Sequence, residues 1–246
     1  LEIKMPNNFA VARTQPGDKF LVQVLVTDGS GGPVVSGLDN ADFTVTVAGA
    51  PADVIGGGFI QEQYWLLVEA PELLDGTYDL AVTLETTPAA SDTSPASVVY
   101  TEDRTDQVLV IDRSGSMGVD DRLIAAKDAA SFYVDVTRNH DGLAVVPYRG
   151  IVDPEPWHMQ EILGASERDS AKNYINNDLS AGGMTSIGAG LLDAVKELED
   201  STTENPLCSF VLLSDGMENT APMWADAEVH DAVLGTECPV TTIAFG

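Results

Sequence analysis

Five oxygen-bearing side chains have the best claim to chemistry in this sequence: Asp112, Ser114, Ser116, Thr185 and Asp215. Three of them alternate within Asp112-Arg113-Ser114-Gly115-Ser116-Met117, directly after the apolar run Val108-Leu109-Val110-Ile111. Thr185 lies in Gly182-Gly183-Met184-Thr185-Ser186-Ile187-Gly188, and Asp215 ends a second apolar run, Phe210-Val211-Leu212-Leu213-Ser214-Asp215-Gly216. All five carry oxygen and none is His or Cys, so together they suit a hard cation, Mg²⁺, Ca²⁺ or Mn²⁺, rather than zinc or copper. Two carboxylates can balance the charge of such an ion, but with three hydroxyls they do not saturate its shell. Water or an outside carboxylate must complete its shell, and that open position implies binding.

Blander and rival readings exist for each residue. Ser and Asp commonly cap helices and form turns, so Ser114 and Ser116 could serve only the helix expected to begin near Asp121. Asp112 has the strand-end position of a phosphoryl-accepting aspartate, but Ser114 stands where a second carboxylate would be needed. Ser116 lacks the Gly-x-Ser-x-Gly setting of a nucleophile elbow. His140, His158 and His230 lie in unrelated segments and read as structural or surface residues. No catalytic activity is expected. Glu218, close to Asp215, reads as a solvated loop residue or one that reaches the same rim.

The elements that must position these residues fall into two groups. Residues 1–103 read as all-β. Phe20-Leu21-Val22-Gln23-Val24-Leu25-Val26 is a strand, and Phe43-Thr44-Val45-Thr46-Val47 alternates with Thr on one face. Val54-Ile55 leads into Gly56 to Gly58. Tyr64 to Val68, Thr77 to Leu84 and Val98-Val99-Tyr100 supply further strands, with residues 86–96 as a long loop. Short strands between Gly, Pro and Asp turns, such as residues 28–33, predict an immunoglobulin-like β-sandwich. Trp65 and Tyr64 read as core and face residues.

Residues 104–246 alternate strands with helices. Leu123, Ala126, Ala130 and Val134 recur at helical spacing, as do Ile187, Leu191, Val195 and Leu198 with Leu192 beside them. Residues 142–148 read as a strand, Trp157 as a short extended piece and residues 166–179 as a polar helix. Residues 210–213 and 240–245 are continuous apolar strands, as expected when both sheet faces are covered. This order predicts an α/β doubly wound, Rossmann-like sheet with mostly parallel strands. Ligands of such sheets bind at the carboxyl ends of the strands, where strand order reverses, and Asp112 and Asp215 fall there.

The bulk numbers exclude several functions. Acidic residues outnumber basic ones by 39 to 12, for a net charge of −27. Nucleic acid and anionic lipid are therefore excluded as partners, since both require clustered Lys and Arg. The acidity keeps a chain dispersed and monomeric; with Asp above Glu and little Lys, it also fits adaptation to high salt. No apolar run approaches the length of a membrane span. A sequence that begins at Leu1 with no leader reads as a piece of something longer. Cys208 and Cys238 each begin an apolar run, so parallel neighbouring strands would put both sulfurs at one end of the sheet. Either a disulfide or two buried thiols fits that placement.

The Asp-x-Ser-x-Ser segment, the later Thr and the Ser-Asp-Gly after another strand, in this order, resemble von Willebrand factor A domains. The likeness covers about residues 105–246. It implies a metal-ion-dependent adhesion site at Asp112, Ser114, Ser116, Thr185 and Asp215, a protein partner whose acidic side chain completes the coordination, and an extracellular or cell-surface location. A sandwich before such a domain resembles surface proteins of bacteria and archaea, and the A domain resembles that of calcium-activated chloride channel regulators. The His-Glu-x-x-His segment of those regulators' protease part is not in this sequence. The resemblance also implies a last helix and edge strand beyond Gly246. Two other functions stand beside adhesion: a structural module stiffened by its metal, and a subunit that works with a chelatase or ATPase.

Overall fold

The computed structural model describes residues 1–246 apart from 30, 87–88, 203–206, 217 and 246. Ser30 of the expected turn cluster and Thr87 and Pro88 of the expected loop lie outside the described residues. The chain divides into two units, Leu1–Glu102 and Asp103–Gly246.

The first unit consists of strands β1 (Glu2–Met5), β2 (Ala12–Thr14), β3 (Lys19–Leu25), β4 (Phe43–Val47), β5 (Ala50–Ile60), β6 (Gln63–Glu69), β7 (Gly76–Leu84) and β8 (Ala90–Tyr100). Their order is β1-β3-β6-β5-β4-β7-β8-β2. All neighbours are antiparallel except β2 with β8. Strand β5 serves two ladders: Ala50 and Ala52 face β4, and from Asp53 onward it pairs with β6. Alternation drives burial. In β3, β6 and the second half of β7 every second residue is buried, and Val22, Val24, Leu66, Val68, Leu80 and Val82 join Val45, Val47 and Val98 in one core. Each such side chain contributes about 1.5–3 kcal/mol.

Two expectations change here. Gly56 to Gly58 lie inside β5 rather than after a strand. Strand β8 starts at Ala90, within the stretch expected to be a loop, because Leu80, Val82 and Leu84 of β7 need a hydrogen-bonded neighbour and find Ser94, Asp92 and Ala90. Thr and Ser are at home on a half-exposed strand. Pro95 falls where the register shifts between Tyr78 and Leu80, a place where its missing N–H is tolerated.

The second unit runs β9 (Thr105–Asp112), α1 (Arg122–Val136), β10 (Gly142–Tyr148), β11 (Trp157–Glu161), α2 (Ala165–Asp178), α3 (Ile187–Glu199), β12 (Leu207–Ser214), α4 (Ala227–Gly235) and β13 (Val240–Ala244). The sheet order is β11-β10-β9-β12-β13, parallel throughout except for β11 at one edge. One face packs Leu109, Ile111, Leu143, Val145, Val211 and Leu213 against α1 and α2. The other packs Val108, Val110, Ala144, Val146, Phe210 and Leu212 against α3 and α4. All four apolar positions expected on α1 are buried. The sheet is thus doubly wound, and β9 is its switch point: the chain leaves it toward β10 on one side and returns to β12 on the other.

The sequence reading missed α4, whose buried residues are only Val229 and Val233 over nine residues. It also overstated β13. Residues 240–245 are expected to be buried on both faces, yet Val240 to Ala244 are all exposed and only Phe245 is partly buried. The strand forms the sheet edge, and its apolar run lacks the cover that β9 and β12 receive.

Cys208 and Cys238 are joined in a disulfide, with Cα atoms 5.2 Å apart. The register of Phe210 with Val240 on β12 and β13 brings the two residues side by side at one end of the sheet.

Candidate metal centre

Asp112 is the last residue of β9 and is fully buried. Its Oδ1 accepts a hydrogen bond from the Ser114 N–H at 2.8 Å, and its Oδ2 accepts one from the Ser214 hydroxyl at 2.7 Å. Ser214 is in turn oriented by the Gly216 N–H, 2.9 Å from its Oγ. Burial raises the Asp112 pKa above the usual carboxylate range; the bonds from Ser114 and Ser214 oppose this, and the charge of Asp215 adds to it. Asp215 directly follows Ser214, so the second carboxylate stands next in sequence to a residue that bonds Asp112.

Ser114 begins a 3₁₀ turn, Gly115–Gly118, and its Oγ lies 3.1 Å from the Ser116 Oγ. Neither serine caps α1, whose N-cap is Asp121 with no side-chain cap bond. The capping alternative for these two residues is therefore removed. Buried Met117 fastens this turn to the core.

Thr185 arrives on the loop before α3. The Gly115 N–H donates to the Gly183 carbonyl at 3.0 Å, and the Gly182 N–H donates to the Arg113 carbonyl at 2.8 Å, so this loop is laced to the Asp112 loop. Gly183 has φ +86°, and a Cβ there would stand 3.0 Å from the Arg149 Cδ. Both the backbone and the space call for glycine. Thr185 is buried, and its N–H donates to the Asn219 Oδ1 at 2.9 Å, which ties the third loop in. The cap of α3 is Ser186, which accepts from the Ala189 N–H and donates to the Pro222 carbonyl. Thr185 is left out of the capping.

Asp215 follows the end of β12, and its side chain is only 4% exposed. Its Oδ2 accepts from the Arg122 guanidinium at 3.1 Å, while its Oδ1 is buried with no hydrogen-bond partner. A buried carboxylate oxygen without a donor is costly, and beside a second carboxylate it invites a cation. The residues present therefore fit a hard divalent ion. Among the described residues no three His, Cys, Asp or Glu gather, so such an ion depends on the hydroxyls as much as on the carboxylates.

The structure thus places Asp112, Ser114, Ser116 and Asp215 at one rim, with Thr185 on the adjoining loop. Several residues escaped the sequence reading. Arg122 gave no signal, because its partner is 93 residues away. Ser214 lies inside the quoted Ser-Asp-Gly segment yet received no role. Tyr148 stands opposite Asp112 in the β10–β9 register, fully buried and with an unpartnered hydroxyl; a Cβ on Gly190 would come 2.6 Å from its ring. Burial and the neighbouring Asp112 push the Tyr148 pKa far up. Glu218 is a half-buried loop residue whose carboxylate accepts from the Gly188 and Trp224 N–H groups and pins the start of α3.

Residues 107–218 match the family model of the von Willebrand factor type A domain. A search of curated proteins returned no match. Among solved structures, the chain is similar to a von Willebrand factor type A protein from Catenulispora acidiphila, at 22% identity and TM-score 0.48, over 69% of this chain and 36% of that one. It is also similar to the von Willebrand factor domain of a type V pili tip protein from Porphyromonas gingivalis, at 22% identity and TM-score 0.36, over 48% of this chain and 40% of that one. A third is a pilus adhesin from Lactobacillus rhamnosus GG, at 14% identity and TM-score 0.41, over 80% of this chain and 20% of that one. The chain spans well under half the length of each of these three. The stretch that matches the von Willebrand factor type A model, residues 107–218, lies on the mixed α/β sheet of the second unit.

Proposed function

We propose that Asp112, Ser114, Ser116, Thr185 and Asp215 hold a divalent cation, Mg²⁺ with Ca²⁺ or Mn²⁺ as substitutes, and that the domain binds a protein partner through it. The observation that carries this reading is the buried, unpartnered Oδ1 of Asp215, the residue after the Ser214 that bonds Asp112. The cation supplies a Lewis-acidic position that these residues leave unfilled, and an acidic side chain of the partner completes it. The Asp112 bonds from Ser114 and Ser214 hold that carboxylate still. This is a binding module, not an enzyme.

A protein partner is favoured by the surroundings. Val119, Ile151, Met184 and Trp224 are exposed apolar side chains, each from a different loop at the carboxyl end of the sheet. The disulfide supports an extracellular or surface location, since such bonds persist in oxidising compartments. Among the described residues no helix is long and apolar enough to cross a membrane. For residues 1–102, the sharing of β5 between two ladders supports an immunoglobulin-like sandwich. The narrower kinship with calcium-activated chloride channel regulators rests on motif order alone.

The test is calorimetric. Mg²⁺ should bind the wild type and not Asp112→Ala, whose circular dichroism should stay native. Equal binding by both proteins would refute the assigned site. Partner capture should then fail in chelator; capture that persists in chelator removes the cation from recognition.

A further inference from the structure

Arg122 is the first residue of α1, and nothing about the helix favours it there. The amino terminus of a helix carries partial positive charge and prefers Asp or Glu. The side chain instead crosses to Asp215, with Nη1 3.1 Å from Oδ2. Asp215 is 4% exposed and Arg122 28% exposed, so the pair is sheltered on one side and reaches solvent on the other. Among the described residues this is the ion pair that Asp215 makes. The same carboxylate is a ligand of the proposed cation.

We infer that Arg122 is an internal counter-cation of the metal centre, exchanged for the divalent ion when it binds. The inference rests on the metal reading above and adds a regulation to it. A guanidinium on one oxygen of Asp215 and a divalent ion on the other share one negative charge and repel each other. In the metal-free protein Arg122 neutralises a carboxylate that would otherwise be buried and unpaired. Loading weakens that contact and leaves a partly exposed arginine beside the open coordination position. There it becomes a second, bidentate anchor for the incoming carboxylate. Arg122 thereby sets the concentration at which the site fills.

The experiment compares Mg²⁺ titrations of the wild type, Arg122→Gln and Lys127→Gln, with no partner present. Lys127→Gln removes the same charge from the same helix, but Lys127 is bonded to the Asn176 carbonyl rather than to Asp215. Arg122→Gln should tighten Mg²⁺ binding by roughly tenfold, the low end of what a charge at this distance does to an ionisation equilibrium. Lys127→Gln should change it by less than about threefold. Thermal melts supply a second readout: Arg122→Gln should melt below the wild type in chelator and recover in saturating Mg²⁺. If Arg122→Gln folds only when Mg²⁺ is present, the exchange is supported; if it fails to fold in both conditions, Arg122 is a structural pin and the inference falls. Equal Mg²⁺ affinity in the wild type and Arg122→Gln overturns the inference while leaving the metal site standing. No binding by either protein overturns both.

Discussion

Asp112 shows how a single side chain is made ready by its neighbours. A buried carboxylate resists ionisation, and here two donors, the Ser114 N–H and the Ser214 hydroxyl, offset part of that resistance. Removing one should be felt twice. Ser214→Ala leaves Asp112 Oδ2 without its donor and should lower stability by about 1–3 kcal/mol in urea denaturation. The same variant should weaken Mg²⁺ binding, because the carboxylate loses its fixed orientation; undiminished affinity would count against an orienting role. Gly183 works through conformation instead. Its positive φ strains any other residue, and a Cβ there would press on the Arg149 side chain.

At the scale of elements, the unit is held at both sheet edges by contacts outside the hydrophobic layers. Edge strand β11 is tied to α3 through His158, whose Nδ1 lies 2.9 Å from the buried Glu197 Oε1, while Glu197 Oε2 accepts from the Met159 N–H. The hydrogen bond to Glu197 raises the His158 pKa above 6.5. A raised imidazole pKa means that the stabilisation is fully present below 6.5 and is lost as pH rises through the folded-state value. Melting temperature should therefore decline over that interval, and His158→Gln should flatten the decline. At the other edge the Cys208–Cys238 disulfide fastens β13, which has no buried residue of its own. Closing a loop with this sequence separation of 30 contributes about 3–4 kcal/mol in the chain-entropy picture. Reductant, or the double substitution to Ser, should lower unfolding stability by that order, and native protein without reductant should show no free thiol.

For the whole molecule, the dominant quantity is the net charge of −27. Self-repulsion of that size destabilises a folded chain and is relieved by screening, whose length falls from about 10 Å at 0.1 M salt to about 3 Å at 1 M. The melting temperature should rise steadily between those salt concentrations. A flat response would remove high-salt adaptation as an explanation of the acidity. The nine-strong basic set of residues 103–246 is spent on internal contacts where the structure describes them, such as Arg138 with Asp141 and Arg113 with the Asp153 and Ser180 carbonyls. Among the described residues of this unit every Lys and Arg has a partner.

Local pattern made much of this legible in advance. The apolar runs of β9 and β12, the helical spacing of α1 and α3, and the order of the three oxygen-rich loops are properties of short segments, and the doubly wound sheet follows from their alternation. Helix α4 was not legible because two buried valines make too weak a period, and the start of β8 was not because Thr, Ser and Pro there look like a loop until β7 lies beside them. The sequence by itself determined which residues could hold a hard cation and that strand ends would carry the two carboxylates. Only the tertiary structure decided the environment of those groups: the sulfur bridge across β12 and β13, the Ser214 donor on Asp112, and Arg122 against Asp215. Each joins residues far apart in the chain, and electrostatics and hydrogen bonding depend on distance in space, which spacing along the chain does not encode.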